Sequence, residues 1–496
     1  MNVPAMEDPE LPPAAWTVLK FGGSSVADPA HWPTIERAVR DVIARGERPI
    51  LVCSALAGVS DDLEQLLAEL DNGGSGEERI ARLRRRHEKL AAALEVDADQ
   101  LLEGCRRELD ELLLSAHHLP RLPAALRAQI MALGELMSTK LGAAWLRKRG
   151  LSAEWRDARE LLVARPPLPG ASAQQQYLSA SCPYDSDRTL QRQLEGIRAE
   201  VVVTQGFIAR NSEGFTVLLG RGGSDTAAAV LAAKLQAKGL EIWSDVPGIF
   251  SANPHRIPDA RLLEELSYEE AETLAALGAR VLHRGSLEPV RTAGIPLQLR
   301  WTHDASVRGT RIGAVETDPG FCGISSRHHL CLITVERSTG AAVGFLAGVA
   351  SCFQEEALSM ELVASSPTRI RTVIDLSRAP GIVDRLPSLT KSLGDYGRAR
   401  IDRAIASVSL VGRDLKSRLP RIARWVASLE DDELLMIDQA ANDLSFTMLV
   451  PAERADSILE RAHADVFEEG DLCADRFGPT WRELNNRQSR QLQAAS

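Results

Sequence analysis

The sequence predicts an α/β protein in which an open, mainly parallel sheet is sandwiched by helices and is followed by two ferredoxin-like units. Up to about residue 320, short apolar runs alternate with helical segments, and two of these runs end in glycine-rich turns that lead into helices. Beyond residue 325 the order of elements becomes β-α-β-β-α and then repeats. The length of 496 residues corresponds to roughly three domains, which agrees with this division.

The sheet domain is predicted from elements that follow one another in order. Trp16 to Phe21 reads as a buried strand because its apolar residues lead straight into Gly22-Gly-Ser-Ser25 and then into a helix at Thr34–Arg45. The next elements are strand Pro49–Ser54, a helical region from Asp61 to Ala116 that is interrupted at 71–76, helix Ala125–Arg149, an irregular loop at 166–187, strands Glu200–Thr204 and Thr216–Leu219, helix Thr226–Ala237 and strand Leu240–Trp243. In open sheets of this kind, ligands bind at the carboxyl ends of the strands.

The two later units are predicted from the repeated pattern. The first contains strand Leu330–Glu336, helix Ala341–Gln354, strands Ser359–Ser365 and Arg369–Leu376, and helix Ile382–Leu393. The second contains strand Ala404–Val411, helix Leu415–Ser428, strands Leu434–Gln439 and Asp443–Val450, and helix Arg454–Asp465. We therefore expect a flexible leader at 1–15, a catalytic domain at 16–320, two small domains at 325–400 and 401–473, and a flexible tail at 474–496.

Composition excludes several classes of protein. With 58 basic and 68 acidic residues the net charge is -10, which argues against a nucleic-acid-binding surface spread over the protein. The seven cysteines form no CxxC pair, so neither a disulfide framework nor a zinc site is indicated, and we expect no protein-held metal. The first 14 residues lack the basic start and apolar run of a secretory signal, and no stretch reaches the ~18 apolar residues that span a membrane. We expect a cytoplasmic protein without a membrane partner.

The first glycine turn follows a lysine at the end of a strand. Gly22 and Gly23 would let backbone N–H groups approach phosphate oxygens, and Lys20 could neutralise their charge. Only eight of the 58 basic residues are lysines, so a lysine here favours a need for a compact ammonium group. A tight strand-to-helix turn without a ligand would explain the glycine pair equally well.

The second glycine turn, Gly220-Arg-Gly-Gly-Ser-Asp-Thr226, also joins a strand to a helix. Arg221 could grip a carboxylate or phosphate through two hydrogen bonds, and Ser224 or Asp225 could cap the helix. The turn matches neither the P-loop nor the GxGxxG pattern. A capped turn alone is an equally good interpretation, but two such turns in one sheet domain favour phosphate transfer.

Two further segments carry candidate residues. Trp243-Ser-Asp-Val-Pro-Gly-Ile-Phe250 could place Asp245 and Phe250 against a nucleotide, although a plain turn also explains Pro247-Gly248. Glu135 lies within a predicted helix, where a lone glutamate is usually solvated.

Together these motifs resemble those of the aspartokinases. The resemblance covers residues 16 to about 470, and it is carried by Lys20-Phe-Gly-Gly-Ser-Ser-Val26, Ser54-Ala-Leu-Ala-Gly58, Gly134-Glu135, Thr204-Gln-Gly-Phe-Ile208, Gly220-Arg-Gly-Gly-Ser-Asp225, Trp243-Ser-Asp-Val-Pro-Gly248 and Gly278-Ala-Arg-Val-Leu-His283 in the family's order. It implies an amino-acid kinase fold followed by two ACT regulatory domains. The tail from Phe477 (Phe-Gly-Pro-Thr-Trp481) is similar to the junction in proteins that fuse an aspartokinase to a diaminopimelate decarboxylase.

The resemblance also implies roles for individual residues. The catalytic residues would be Lys20, Arg221 and Asp225. The aspartate site would be formed by Ser60, Glu135, Phe207, Arg221, Gly222 and Ser224. The nucleotide would be bound by Lys20, Gly22, Gly23, Ser24, Ser244, Asp245, Phe250, His255, Arg256 and Arg280.

Three positions depart from the family's pattern. Asn253-Pro-His255-Arg256 stands where Asp-Pro-Arg is usual, so the arginine is displaced by one place. Arg280 replaces a lysine, and Arg284 follows His283 where proline is common. These departures concern nucleotide binding more than recognition of aspartate.

The implied activity is ATP-dependent phosphorylation of aspartate to 4-phospho-L-aspartate, the first step of lysine, threonine and methionine biosynthesis through the diaminopimelate route, with Mg²⁺ held mainly by the nucleotide. An amino acid would regulate the enzyme at the ACT domains, lysine being the first candidate and threonine the second. Its site would include Phe345, Leu346, Ser359, Met360, Glu361, Ser365 and Ser366, although Met360 and Leu362 also fit plain core positions of a strand.

We expect a homo-oligomer, a dimer formed through the ACT domains. The alternatives are a related amino-acid kinase, such as a glutamate kinase, and a catalytically silent amino-acid sensor.

Overall fold

The computed structural model describes residues 15–116, 119–279, 282–315, 319–338, 343–377, 381–427, 429, 434–467 and 476–487. The chain divides into two compact units. The first comprises the described residues of Met1–Ile249, Glu264–Tyr268 and Val281–Val315, and the second those of Phe250–Leu263, Glu269–Arg280 and Glu316–Ser496. Among the described residues, no helix has both the length and the apolar character needed to cross a membrane.

Strands and helices alternate through most of the described chain. The strands are β1 (Trp16–Phe21), β2 (Arg48–Cys53), β3 (Ala153–Trp155), β4 (Val201–Gln205), β5 (Ile208–Arg210), β6 (Thr216–Leu218), β7 (Gly239–Ser244), β8 (Arg261–Leu263), β9 (Glu265–Ser267), β10 (Leu297–Trp301), β11 (Thr310–Gly313), β12 (Gly320–Arg337), β13 (Val363–Ser365), β14 (Arg369–Asp375), β15 (Gly397–Arg413), β16 (Met436–Gln439), β17 (Ser445–Pro451) and β18 (Phe477–Thr480).

The helices are α1 (Gly23–Ala27), α2 (Trp32–Ala44), α3 (Val59–Asp71), α4 (Glu77–Leu94), α5 (Ala98–Ala116), α6 (Ala124–Lys148), α7 (Ala158–Leu161), α8 (Ala173–Leu178), α9 (Arg188–Glu195), α10 (Gly223–Leu235), α11 (Tyr268–Ala276), α12 (Arg284–Ala293), α13 (Phe345–Glu355), α14 (Ile382–Leu393), α15 (Leu419–Ala427) and α16 (Ala455–Phe467). Short 3₁₀ turns occupy Pro29–His31 and Leu415–Arg418, and residues 481–487 are helical.

The first unit is built on an eight-stranded sheet with the order β3-β4-β2-β1-β7-β10-β11-β9. The ladder is parallel throughout except between β10 and β11. Strands β1, β2 and β7 are apolar and largely buried, as expected when helices cover both faces of a parallel sheet. Because β1 lies between β2 and β7, the glycine turn that follows it lies in the middle of the carboxyl edge of the sheet.

The second unit contains a six-stranded antiparallel sheet with the order β13-β14-β12-β15-β17-β16. The two long strands β12 and β15 pair along most of their length and belong to both predicted ferredoxin-like units. The later part of β12 pairs with β14, and the later part of β15 pairs with β17. The two predicted ferredoxin-like units, both within the second compact unit, are therefore interleaved through shared strands rather than placed one after the other.

Two predicted elements of the second unit differ from the structure. The strand predicted at 359–365 begins only at Val363, and the helix predicted at 341–354 begins at Phe345. Residues 359–362 precede the ladder because the pairing of β13 with β14 starts at Val363 opposite Thr372.

Residues 476–487, predicted to belong to a flexible tail, form strand β18 and a helical segment instead. Phe477 pairs with Leu263 of β8 and packs against Phe467, so apolar contacts hold a segment whose composition is largely polar. The predicted domain boundaries stay predictions.

Candidate active site

Lys20 lies one residue before the end of β1, opposite Val52 of β2 and Ile242 of β7. Its side chain is only 9% exposed, and its Nζ lies 2.5 Å from Oδ1 of Asp225. A Cβ atom added at Gly22 would lie 3.6 Å from the same Nζ, so the missing side chain leaves room in front of the ammonium group. A phosphate oxygen fits this kind of space because it carries the opposite charge and accepts hydrogen bonds.

The second glycine turn leads into α10, and the first turn of that helix brings Asp225 to Lys20. Gly222 has a φ of +68° and a Cβ there would come within 2.6 Å of His283, so both backbone conformation and space require glycine. Asp225 lies in the first turn of α10, where a carboxylate is favoured by the helix dipole. Arg221 is exposed and forms no ion pair with the described residues. Its guanidinium is therefore available for an anion.

Phe207 has an unusual backbone for a residue with a side chain. Its φ is +65°, and the N–H of Ile208 donates to the carbonyl of Gly206 at 2.7 Å, which makes a γ-turn of the strained, positive-φ kind. The turn lies against the second glycine loop, since a Cβ at Gly223 would come within 2.6 Å of the Phe207 ring. The γ-turn thus places Phe207 against the second glycine turn at Gly223.

Glu135 is a deeply buried ionisable group of the first unit. It lies in α6, is 3% exposed, and its Oε2 has no hydrogen-bond partner among the described residues. Burial raises the pKa of Glu135 to about 8, against the opposing effect of hydrogen bonds from the backbone of Ala55 and of Glu135 itself. A buried carboxylate without a cation is costly, so the site is suited to a ligand that brings a positive charge.

The position of Glu135 follows from close packing around α6. A Cβ at Gly134 would come within 3.0 Å of Ala55 and Val59, so glycine lets the helix approach the loop after β2. That loop also borders the first glycine turn, because the N–H of Ala57 donates to the carbonyl of Gly23 at 3.1 Å. Glu135 and the turn after Lys20 therefore share one loop as a neighbour.

Sequence reasoning missed the polar side chains that support Glu135. Thr139 donates to the carbonyl of Glu135 at 2.8 Å, Gln205 donates to Thr139 at 2.8 Å, and the indole of Trp155 donates to Thr139 at 3.0 Å. Gln205 is fully buried at the end of β4, next to the γ-turn at Phe207. Its place within Thr204-Gln-Gly-Phe-Ile208 was the available signal.

The remaining predicted residues of the first unit lie at strand or helix ends. Ser60 is in the first turn of α3, and Ser24 is exposed in α1. Ser244 ends β7, and its hydroxyl donates to the carbonyl of Val246 at 3.0 Å. Asp245 is exposed, and its carbonyl accepts a hydrogen bond from the indole of Trp301 at 2.9 Å.

Three residues predicted to bind the nucleotide belong to the second unit. Phe250 is 6% exposed and meets Trp481 edge to face at 5.7 Å, and His255 meets the same indole at 5.6 Å. Arg256 forms an ion pair with Asp456 of α16, and this pair raises the pKa of Arg256. Arg280 lies outside the described residues.

The predicted effector residues also lie in the second unit. Phe345 is buried at the start of α13, whereas Leu346 is 46% exposed. The carboxylate of Glu361 lies 2.7 Å from a guanidinium nitrogen of Arg327. The other predicted effector residues, Ser359, Met360, Ser365 and Ser366, range from half-buried to exposed.

Comparisons with known proteins agree on one family. A model described as the amino acid kinase family matches residues 15–300. The lysine-sensitive aspartokinase 3 of Escherichia coli is 30% identical over 466 residues, which cover 91% of this chain and 99% of that protein.

Two solved structures of E. coli aspartokinase III are similar over the same 91% of this chain and 99% of theirs, both at 28% identity. The complex with aspartate and ADP (R-state) has a TM-score of 0.71, and the complex with lysine and aspartate (T-state) has a TM-score of 0.66. The predicted fold class is confirmed.

Proposed function

The chain belongs to the aspartokinases and is an aspartate kinase, and from this premise we propose how its residues perform the ATP-dependent phosphorylation of the aspartate side chain. One observation carries the proposal. Glu135 is buried, and its Oε2 has no hydrogen-bond partner among the described residues. The loop after β2 lies next to both Glu135 and the turn after Lys20. A buried carboxyl group, which an ammonium group would stabilise in its ionised form, suits a zwitterionic substrate, and a buried lysine suits a phosphate donor.

Glu135 binds the α-ammonium group of aspartate in this proposal. The ammonium neutralises the buried carboxylate and forms a charge-assisted hydrogen bond with its Oε2. Arg221 binds a carboxylate of the substrate, since a guanidinium matches a carboxylate through two parallel hydrogen bonds. Phe207, Gly222 and Ser224 complete the walls, and Ser60 faces the substrate from the first turn of α3.

The phosphoryl transfer needs positioning rather than a general base. The acceptor carboxylate has an ordinary pKa of about 3.9 and is already ionised at neutral pH. Its oxygen attacks the γ-phosphorus of ATP, the bond from that phosphorus to the bridging oxygen breaks, and ADP leaves with the electron pair. Lys20 stabilises charge on the phosphoryl oxygens, and Asp225 holds the Lys20 ammonium in place.

In this proposal the turn after Lys20, with Ser244 and Asp245, binds the nucleotide in the first unit. Phe250 and His255, which the family resemblance also assigns to the nucleotide, belong to the second unit. Mg²⁺ would offset the repulsion between the two anionic substrates and would be held mainly by phosphate oxygens. The described residues include no group of three or more histidine, cysteine, aspartate or glutamate side chains that could hold a metal.

Lysine is the proposed effector, and the second unit is its site. The E. coli relative is named lysine-sensitive, and one of its structures contains lysine together with aspartate. We also propose a dimer formed through the second unit. Strand β13 is an edge strand whose three residues are exposed, and Val363 is 44% exposed there, so both backbone groups and apolar surface are available for a second copy.

Trapping the product tests the proposed function. Hydroxylamine converts an acyl phosphate to a stable hydroxamate, so the full-length enzyme with Mg-ATP and aspartate should yield aspartyl hydroxamate. Glutamate in place of aspartate should yield none above background. Lysine, but not threonine, should suppress the product, and gel filtration should show a dimer. Equal yields from aspartate and glutamate would contradict the proposed specificity of the site for aspartate.

A further inference from the structure

We propose that the chain segment 476–487 positions the loop 250–263 for the nucleotide, and that Trp481 is a positioning residue that acts through Phe250 and His255. The inference rests on the proposed function, because that proposal places Phe250 and His255 at the nucleotide. All the residues involved lie in the second unit.

The first support is aromatic packing. Trp481 meets Phe250 at 5.7 Å with an interplanar angle of 86°, and it meets His255 at 5.6 Å with an angle of 75°. Both are edge-to-face arrangements, which aromatic rings prefer over parallel stacking face on face. One indole therefore fixes the two rings that the proposed function assigns to the nucleotide.

The second support is a set of backbone hydrogen bonds that hold the segment against the loop. The N–H of Trp481 donates to the carbonyl of Ala260 at 3.0 Å, and the N–H of Arg482 donates to the carbonyl of Pro258 at 2.9 Å. Strand β18 pairs with β8, and Arg482 forms an exposed ion pair with Asp259 at 2.9 Å. Main-chain hydrogen bonds of this kind fix the register of the segment against the loop, and they thereby fix the position of Trp481.

The third support is that helix α16 and strand β12 hold Ser251, the residue that follows Phe250. The imidazole of His463 lies 3.0 Å from the hydroxyl of Ser251, and burial lowers the pKa of His463 to about 4, so the imidazole is neutral near pH 7. The hydroxyl of Ser251 accepts from the N–H of Arg261 at 3.0 Å, and its carbonyl accepts from the N–H of Ile324 at 2.7 Å. The loop is thus closed on itself and is also tied to α16 and β12.

Removing the indole should therefore change nucleotide binding without changing aspartate binding. If the whole stabilisation by the two edge-to-face contacts is lost from nucleotide binding, the KM for ATP should rise by about 5- to 160-fold. Because none of these contacts involves Glu135 or Arg221, the KM for aspartate should stay unchanged.

The test compares Trp481→Ala with Trp481→Phe in the full-length enzyme. We expect Trp481→Ala to raise the KM for ATP, and the dissociation constant of ADP measured by calorimetry, with the KM for aspartate unchanged. Trp481→Phe should restore most of the affinity, since a second aromatic ring keeps the edge contacts. Trp425→Ala removes a buried tryptophan of α15 and serves as the control for lost stability: it should lower the melting temperature and leave the KM for ATP unchanged.

The outcomes separate this inference from the proposed function. An active wild-type enzyme whose KM for ATP is unaffected by Trp481→Ala would overturn the inference alone. Equal rises in both KM values, or no rescue by phenylalanine, would also overturn it. A wild-type enzyme that neither turns over aspartate nor binds ADP would contradict the proposed function, and the inference with it.

Discussion

The ammonium group of Lys20 and the carboxylate of Asp225 lie 2.5 Å apart, although the two residues are 205 positions apart in the chain. Lys20 precedes the first glycine turn, and Asp225 follows the glycines of the second. Lys20 comes from the central strand of the sheet and Asp225 from the first turn of α10. The pair joins the two turns that the sequence singles out. It also holds a buried ammonium group pointed in one direction, as phosphate binding requires.

Replacing Lys20 should remove the chemistry and leave the fold intact. We expect Lys20→Ala to lower kcat by about 100- to 1000-fold, which is the usual cost of losing one group that stabilises transition-state charge. Lys234→Ala is the matched control, because Lys234 is a similarly buried lysine that forms an ion pair with Asp187 at 3.0 Å. Steady-state rates of ADP release should fall only in the first variant. Comparable losses in both would indicate a merely structural role for Lys20.

Aspartate binding should depend on pH through Glu135. Below about pH 8 the carboxyl group carries a proton in the free enzyme, and that proton must leave before the carboxylate can bind an ammonium group. The KM for aspartate should therefore fall as the pH rises from about 6 to about 8, while the KM for ATP stays nearly constant. In Glu135→Gln the KM for aspartate should be raised and should lose this pH dependence. A wild-type KM for aspartate that does not change over this range would contradict the assignment.

The same group should affect stability in a defined direction. The pKa of Glu135 is raised from its ordinary 4.5 to about 8 in the folded protein, so its contribution to stability is full below about pH 4.5 and is lost as the pH rises through about 8. Glutamine does not ionise, so Glu135→Gln does not lose stability in this way as the pH rises. The melting temperature of the variant minus that of the wild type should consequently increase from pH 5 to pH 8, as measured by calorimetry of the ligand-free proteins. A difference that decreases over this interval would refute the raised pKa.

Gly222 should tolerate no side chain because of both its backbone conformation and a steric clash, and a comparison with Gly294 separates the two effects. Gly222→Ala faces both a φ of +68° and a contact of 2.6 Å with His283, whereas Gly294→Ala faces a φ of +67° with no atom within 4 Å. Both variants should lose about 1 kcal/mol from the backbone conformation. Gly222→Ala should lose a further ~1–3 kcal/mol from overpacking, together with most of its activity. Denaturant unfolding curves of the two variants provide the comparison.

Local pattern was sufficient to predict much of the fold. The apolar run Trp16–Phe21 followed by glycines indicates a buried strand and a turn, and the structure has β1 and α1 there. The sharing of β12 and β15 could not be read from the sequence, because strand pairing over a separation of about 80 residues leaves no periodic signal. The order of residues 476–487 was missed for a similar reason: it depends on Phe477 and Trp481 finding distant partners.

The candidate site was predictable where glycines mark it and not where burial defines it. The glycine-rich segments around Gly22 and Gly222 predict turns that precede helices. Glu135 was expected to be solvated on local grounds, and only the resemblance assigned it a role. Its burial results from the packing of α6 against the loop after β2, a tertiary contact that depends on Gly134. The supporting bonds of Thr139 and Gln205 are likewise visible only in three dimensions.

The most direct test of the account is ADP release by the purified enzyme with Mg-ATP, measured with aspartate, with glutamate and without an acceptor. The account predicts turnover that requires aspartate, falls by about 100- to 1000-fold in Lys20→Ala, and shows a raised KM for aspartate in Glu135→Gln. Turnover that does not depend on aspartate, or that is the same in wild type and Lys20→Ala, would contradict it.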